Sequence, residues 1–485
     1  MTMGSVAKDS SFVLTARMMI SLSNLLFIPL LTKNLSAENY GIWAQVWVTL
    51  PLISNLLVLG FDESMTRFFP SLSRREYSRD FISLMVPVTA IGGLVCLAIY
   101  VFSGPVSDCI FNGNVAVVKL LSAIIFIFVL DLALYSLLRS LRRMRAYSAL
   151  TILQNVFEMG LAAAMVMMGK GVEGAVLALL MTRSGLLICL LVISRRYLDV
   201  VAPARSVLKK YVVYGLPTLP MVVSGWVLAS FDRYMIALFY STREVGFYDP
   251  AYTIGQSVPM IIGGVFSFTL TPHLSNMFDA NDLEEVRKTL TFMTKLALAI
   301  NVPFILGGIV LSGPVLGVLS TDAIAANAFK VLPMISIGVT FFCTKIILSQ
   351  IWKLEKKTYK LGITYTFAAL TNIVLNYVLI PRYGINGAAI ATMLAYGIDL
   401  AMTALWLNRD LFPRMSGRNV MKITLSSALM FAAIYLSHNY LDVATTVVPI
   451  VLGLAVYTVS IRRLNILDEN EREVLKSLRF LDKVF

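Results

Sequence analysis

Charge is what this chain has least of. Of its 485 residues only 14% are charged, two are histidine and four are cysteine. A soluble domain carries about 25% Asp, Glu, Lys and Arg to face water, so a soluble fold is excluded. The cysteines, Cys96, Cys109, Cys189 and Cys343, form no C-x-x-C pattern, and the histidines, His273 and His438, stand far apart. No disulfide framework or zinc site can be built from such a set. A phosphate-binding glycine loop, a G-x-S-x-G elbow and a dinucleotide fingerprint are all missing from the sequence. The polar stretches between apolar runs are short and leave no room for a soluble catalytic domain. The expectation is a protein that is not an enzyme, with no catalytic residue, no metal and no cofactor.

Apolar residues fill the space instead. They make up 58% of the chain, the mean hydropathy is +0.77, and they fall into runs of about 20 residues, the length of a helix that crosses a hydrocarbon core. The runs cover residues 12–31, 41–60, 81–101, 115–138, 149–168, 172–193, 211–240, 247–270, 290–311, 325–351, 361–380, 388–407, 423–436 and 443–461. That is about fourteen spans. Pro217, Pro220, Asp232 and Arg233 interrupt the seventh.

The loops test the count. With fourteen spans, twenty-three basic residues fall on one side, in clusters such as Arg139, Arg142, Arg143, Arg145 and Lys353, Lys356, Lys357, Lys360. The other side holds six: Lys33, Lys119, Lys170, Arg243, Lys330 and Arg382. The positive-inside rule then places both termini in the cytoplasm. The net charge of +13 is accounted for by topology and by attraction to anionic membrane lipids. Nucleic acid is not an expected partner, because the charge is distributed loop by loop instead of gathered on one soluble face. The polar start, without a small-residue cleavage site after Arg17, predicts no cleavable signal peptide.

Internal similarity sets the architecture. The stretch Gly171-Val172-Glu173-Gly174-Ala175 resembles Gly384-Ile385-Asn386-Gly387-Ala388, 213 residues on. Arg145-Ala146-Tyr147 aligns with Lys357-Thr358-Tyr359, and Tyr40-Gly41-Ile42-Trp43 with Val245-Gly246-Phe247-Tyr248. Each match sets span n against span n+6. An even number of spans keeps both halves in one orientation, a parallel repeat about an axis along the membrane normal. The predicted fold is an all-α polytopic membrane protein of two six-helix bundles, residues 1–200 and 201–410, with two further helices in 411–461. In residues 462–485, apolar side chains spaced by three and four alternate with charges and predict an amphipathic helix at the cytoplasmic interface.

The run from Asn372 to Thr392, NIVLNYVLIPRYGINGAAIAT, resembles the passage from the eleventh to the twelfth helix of Wzx-like polysaccharide-repeat flippases of the MOP exporter superfamily. Leu31-Thr32 to Tyr40-Gly41 is similar to the junction after their first helix, and Trp352 to Tyr359 to their approach to helix eleven. The resemblance extends over essentially the whole chain. It implies a two-bundle, V-shaped flippase moving polyprenyl-pyrophosphate-linked oligosaccharide, of the O-antigen and lipopolysaccharide kind, from the cytoplasmic to the outer leaflet of the inner membrane. A polysaccharide polymerase or assembly factor is a further implied partner.

A pyrophosphate crossing lipid needs cations that face a wet lumen, since a charge in hydrocarbon is costly. The sequence offers Arg17, Arg183, Arg233, Lys295 and Lys345 inside spans as substrate-binding candidates. Lys295 and Lys345 lie near span ends, where a long side chain can instead reach the interface. Four intramembrane acids, Asp131, Glu158, Asp249 and Asp399, are ion-coupling candidates for a proton or sodium gradient, or plain salt-bridge partners of the cations. Adjacent helical residues point in different directions, so Asp232 and Arg233 are expected to pair with other helices. Trp47 and Tyr252, matched in the repeat, are candidates for stacking on sugar rings; Trp43 and Tyr248 read as interfacial anchors. Prolines inside spans, among them Pro51 and Pro303, suit helices that bend. Competing readings are a multidrug or cation exporter of the same superfamily, a peptidoglycan-precursor flippase, and a membrane glycosyltransferase. The last lacks the large external loop or acidic catalytic motif it would need.

Overall fold

A computed structural model describes residues 19–440, 446–466 and 471. Among the described residues the regular structure is helical throughout. In chain order it comprises α1 (Met19–Thr32), α2 (Ala37–Leu57), α3 (Phe61–Phe68), α4 (Arg74–Val101), α5 (Ser103–Ile110), α6 (Val115–Ser140), α7 (Met144–Met167) and α8 (Gly171–Ser194). There follow α9 (Leu208–Gly215), α10 (Leu219–Phe239), α11 (Thr242–Asp279), α12 (Leu283–Leu319), α13 (Asp322–Ala328) and α14 (Val331–Leu348). The last four are α15 (Gln350–Leu354), α16 (Tyr359–Trp406), α17 (Gly417–Tyr440) and α18 (Val447–Arg463).

Local chemistry sets the ends of these helices. Lipid offers no water to stray backbone groups, so the long apolar runs close their hydrogen bonds internally. Ser36 accepts from the Asn39 amide at 3.2 Å to start α2, Asn114 caps α6 and Asp282 caps α12, each supplying an acceptor to an orphan N–H. Two basic turns share one C-terminal device. Arg142 and Lys356 take left-handed φ values of 56° and 58°. The next amides, of Arg143 and Lys357, donate back to Leu138 O at 2.9 Å and Trp352 O at 2.7 Å, the bond that marks a Schellman ending. Arg142 and Lys356 lie 214 residues apart, so this part of the repeat aligns two residues beyond the register expected from Arg145 and Lys357. The glycine match holds, since Gly171 and Gly384 both adopt positive φ, 61° and 56°.

Nine helical runs among the described residues are long and apolar enough to cross a membrane, or ten if α2 and the stretch Phe61–Ser71, bent by 56°, form one span. The sequence suggested fourteen. Spans 361–380 and 388–407 share the single run α16, which breaks at Gly384 (φ 56°, ψ −138°). The expected first, eighth and fourteenth spans fall on α1, α11 and α18, of which α1 has too few described residues and α18 is 17 residues long. The amphipathic helix expected in 462–485 lies almost entirely outside the described residues, as does Arg17.

Packing divides the chain into two compact units, Met1–Asp249 with Ala369–Ala388, and Pro250–Ala368 with Ala389–Phe485. The first is centred on α6, where Val117, Leu121, Ile124, Leu137 and Leu138 meet Leu50, Phe61 and Met65, all buried. Lipid-spanning helices gain little from excluding water and associate by close fit, for which small residues are needed. The first unit holds such a contact: a Cβ on Gly41 would lie 1.7 Å from Thr242 O, and one on Gly246 would lie 1.7 Å from Ala37 O. The second unit has one core around Trp352, Leu290 and Ile351 and another where α12 meets α17 and α18 through Leu311, Met430, Ile434 and Tyr457.

Candidate functional site

Intramembrane charge in this protein occurs as buried ion clusters. In the first unit α6, α7 and α8 bring Asp131, Glu158 and Arg183 together, each at most 4% exposed. Arg183 Nε rests against Glu158 Oε1, its Nη1 lies 3.8 Å from Asp131 Oδ2, and its guanidinium stacks 4.2 Å from the centre of the Phe128 ring. Gln154 Nε2 donates to Glu158 at 3.1 Å and accepts from the Tyr135 hydroxyl at 3.0 Å. Tyr135 lines a polar cavity of about 100 Å³ together with Asn55, Asp62, Ser136, Arg139 and Tyr147.

The same unit holds a second cluster. Arg233 Nε and Nη2 each donate to Asp249 Oδ1 at 3.1 Å, and Nη1 donates to Asp232 Oδ1 at 3.0 Å and to Ala229 O at 2.7 Å. Tyr248 donates to the other Asp232 oxygen at 2.5 Å. The expectation that Asp232 and Arg233 avoid each other is therefore corrected. A guanidinium on a three-carbon stem presents five donors in a fork; it folds back onto its neighbour while still reaching α11.

In the second unit Lys345 on α14 pairs with Asp399 on α16 at 3.1 Å, both essentially unexposed, and its ammonium sits 3.2 Å from the centre of the Tyr365 ring. Lys295 on α12 donates to Glu471 at 2.6 Å and to Ile466 O at 3.2 Å. Each described cation of the expected set thus has a carboxylate partner, and all four expected acids are among those partners. What the sequence reading missed is Glu471, Tyr248, Gln154 and Tyr365. Gln154 was within reach of inspection, four residues before Glu158 and so on the same helix face; Tyr365 carried no signal.

The matched aromatics divide differently. Trp43 and Tyr248 are 3% and 0% exposed, which a side chain anchored among headgroups is not, so the anchoring reading is replaced by packing and, for Tyr248, a hydrogen bond. Tyr252 is buried, and Trp47 is partly buried in edge contact with Trp43, ring centres 5.8 Å apart. The second unit also encloses an apolar cavity of about 350 Å³ bounded by Val258, Phe304, Leu311, Met430, Ile450 and Tyr457. Among the described residues no group of three or more His, Cys, Asp or Glu is placed to hold a metal ion.

Residues 6–278, more than half the chain, match the family described as polysaccharide biosynthesis protein. This chain belongs to that family. Residues 217–378 also match the MatE family, which places the protein among Wzx-like members of the MOP superfamily. It is 29% identical over 215 residues to a Haloferax volcanii protein named "Probable flippase AglR", covering 42% of this chain and 44% of that protein. A second Haloferax volcanii protein, "Probable low-salt glycan biosynthesis flippase Agl15", is 20% identical over 437 residues, 89% of this chain and 90% of the relative. The match to AglR therefore spans less than half of that relative, and the match to Agl15 nearly all of it. Among solved structures, the lipid II flippase MurJ in an inward closed conformation superposes with a TM-score of 0.76 at 16% identity, covering 95% of this chain and 99% of that one. That likeness establishes the fold: an all-α polytopic membrane protein of the MOP type.

Proposed function

We propose that this member of the polysaccharide biosynthesis family is a flippase that carries polyprenyl-pyrophosphate-linked oligosaccharide repeat units from the cytoplasmic to the outer leaflet. It works by alternating access in the bacterial inner membrane, with both termini cytoplasmic, and draws on an ion gradient. The observation that carries this reading is the set of buried ion clusters in a chain of this family. A bare pyrophosphate cannot enter hydrocarbon, and an unpaired cation waiting there for it would be almost as costly. A cation held by a carboxylate avoids both costs. When the anionic headgroup arrives, Arg183, Arg233 or Lys345 can exchange partners, and the released carboxylate takes up a proton or a sodium ion. Arg17 completes the proposed cationic set, and Glu158, Asp131, Asp249 and Asp399 supply the coupling groups. As a carrier the protein makes and breaks no covalent bond. Trp47 and Tyr252 are proposed to meet the sugar, and a polymerase to receive the product.

The MatE match gives a second reading, a multidrug or cation exporter. The Agl15 match over most of the chain and the basic intramembrane set favour the first. A peptidoglycan-precursor flippase shares the pyrophosphate problem and differs only in glycan.

Liposomes loaded with a fluorescent polyprenyl-pyrophosphate oligosaccharide decide among them. The reconstituted protein should expose the glycan to an external quencher faster than protein-free vesicles do. Arg17→Ala should slow that exposure at least tenfold, while Arg17→Lys retains part of it. Acceleration with lipid II alone would move the assignment to peptidoglycan precursor. Acceleration with no lipid-linked glycan, together with efflux of a cationic dye, would move it to the exporter.

A further inference from the structure

The two clusters of the first unit each hold one guanidinium and two carboxylates, so each carries a surplus negative charge if every acid is ionised. They dispose of it differently. Around Arg233 both acids receive strong donors, Asp249 from Nε and Nη2 and Asp232 from Nη1 and the Tyr248 hydroxyl. Around Arg183 the donors go to one acid only. Glu158 takes the guanidinium and the Gln154 amide, whereas neither oxygen of Asp131 accepts a hydrogen bond. Its nearest charged partner is Arg183 Nη1 at 3.8 Å, and the residue is 0% exposed.

A buried carboxylate without donors is stable only when its charge is removed. We propose that Asp131 carries a proton in this conformation, and that this proton is the coupling ion of the transport cycle. The balance is simple. A proton adds to a carboxylate oxygen of Asp131, forming an O–H bond, and the triad becomes neutral with Arg183 and Glu158 as its one ion pair. When the proton leaves, Asp131 regains its charge and competes with Glu158 for Arg183, drawing the guanidinium from α7 toward α6. Sodium is disfavoured at this point, because a hard cation needs several oxygen ligands and the group facing Asp131 is itself a cation.

Other charges are too remote to neutralise it. Arg183 and Glu158 face it from α8 and α7, and Tyr135 stands one turn along its own helix. Arg139 lies eight residues away, about 12 Å along the axis, and is engaged by Asp62 and Glu63 of α3. The only formal charge of α2 is Glu38, in its first turn, and those of α4 all fall between Arg74 and Asp80. Asp108 is the one charge of α5, and Glu173 lies ten residues before Arg183 on α8.

This inference deepens the flippase reading, but its first test does not depend on any cargo. Infrared spectra of the full-length protein in sodium-free lipid vesicles at neutral pH should show a protonated-carboxyl C=O stretch. Asp131→Asn should abolish it, Asp131→Glu should move it without removing it, and Asp249→Asn should leave it in place. No such band in the unaltered protein, or a band kept in Asp131→Asn and lost in Glu158→Gln, overturns the assignment. The second test uses the loaded liposomes. An imposed pH gradient should accelerate glycan exposure, a sodium gradient should not, and Asp131→Asn should lose the response to pH. Acceleration by sodium alone would sink the proton while leaving the flippase standing. A protonated Asp131 in a protein that flips no lipid-linked glycan would do the reverse.

Discussion

The two halves of the repeat each link their fourth and sixth helices with buried charge, but with the signs exchanged. In the first half the acid, Asp131, is on α6 and the base, Arg183, on α8; in the second the base, Lys345, is on α14 and the acid, Asp399, on the latter part of α16. Asp131 and Lys345 are 214 residues apart, the same register as the turns at Arg142 and Lys356. The first half adds Glu158 from α7 and becomes unbalanced, two acids on one base. The second remains one to one and is closed over by the Tyr365 ring. A balanced pair is content in a single state. An unbalanced triad has two ways to share its cation, and its choice depends on a proton.

Removing the shared base should separate the halves most sharply. Arg183→Met strands two buried acids and should cost about 3–5 kcal/mol, measured by thermal unfolding in detergent, with Asp131→Asn and Glu158→Gln in the same chain restoring most of it. Lys345→Met should cost about 3 kcal/mol, and here replacing Asp399 by Leu as well should bring stability back near the starting value. If the second double variant is as unstable as Lys345→Met alone, the idea of a self-contained pair is wrong. Gly41→Ala and Gly246→Ala should each cost about 1–3 kcal/mol by overpacking, and by equal amounts, because their added Cβ atoms meet backbone carbonyls at the same 1.7 Å. A difference of more than about 1 kcal/mol between them would show that the contact is not symmetric in energy. The smallest effect belongs to Gly171→Ala and Gly384→Ala. Nothing lies within 4 Å of a Cβ at either position, so each should lose only the left-handed backbone cost of about 1–2 kcal/mol.

The inventory of intramembrane charge was legible in the sequence because each charged residue interrupts an apolar run. Who meets whom was not. Asp131 and Arg183 are 52 residues apart and Lys345 and Asp399 are 54, and hydropathy fixes neither the rotation of a helix nor its neighbours. Asp232 and Arg233 show the limit of a direction rule, since the longer side chain bends back across it. Trp43 and Tyr248 show another. Hydropathy places them near span ends and suggests headgroup contact, but each follows by two residues a glycine whose missing Cβ lets backbones close in, and that approach buries the rings. The repeat itself was readable from its glycines, less so from its basic turns, where the left-handed residue and not the tyrosine sets the register.

The glycine contact has a further meaning. Ala37 and Thr242 are 205 residues apart, as are Gly41 and Gly246. Gly41 approaches Thr242 while Gly246 approaches Ala37, so position i touches j and j touches i. That reciprocity is the signature of an isologous two-fold dimer, here written into one polypeptide. A protein encoding only one half would meet a second copy of itself through this same surface. Joining the halves in a single gene frees each copy of a formerly shared residue to change alone, and the unlike charges at Asp131 and Lys345 are a divergence that no symmetric dimer could have made.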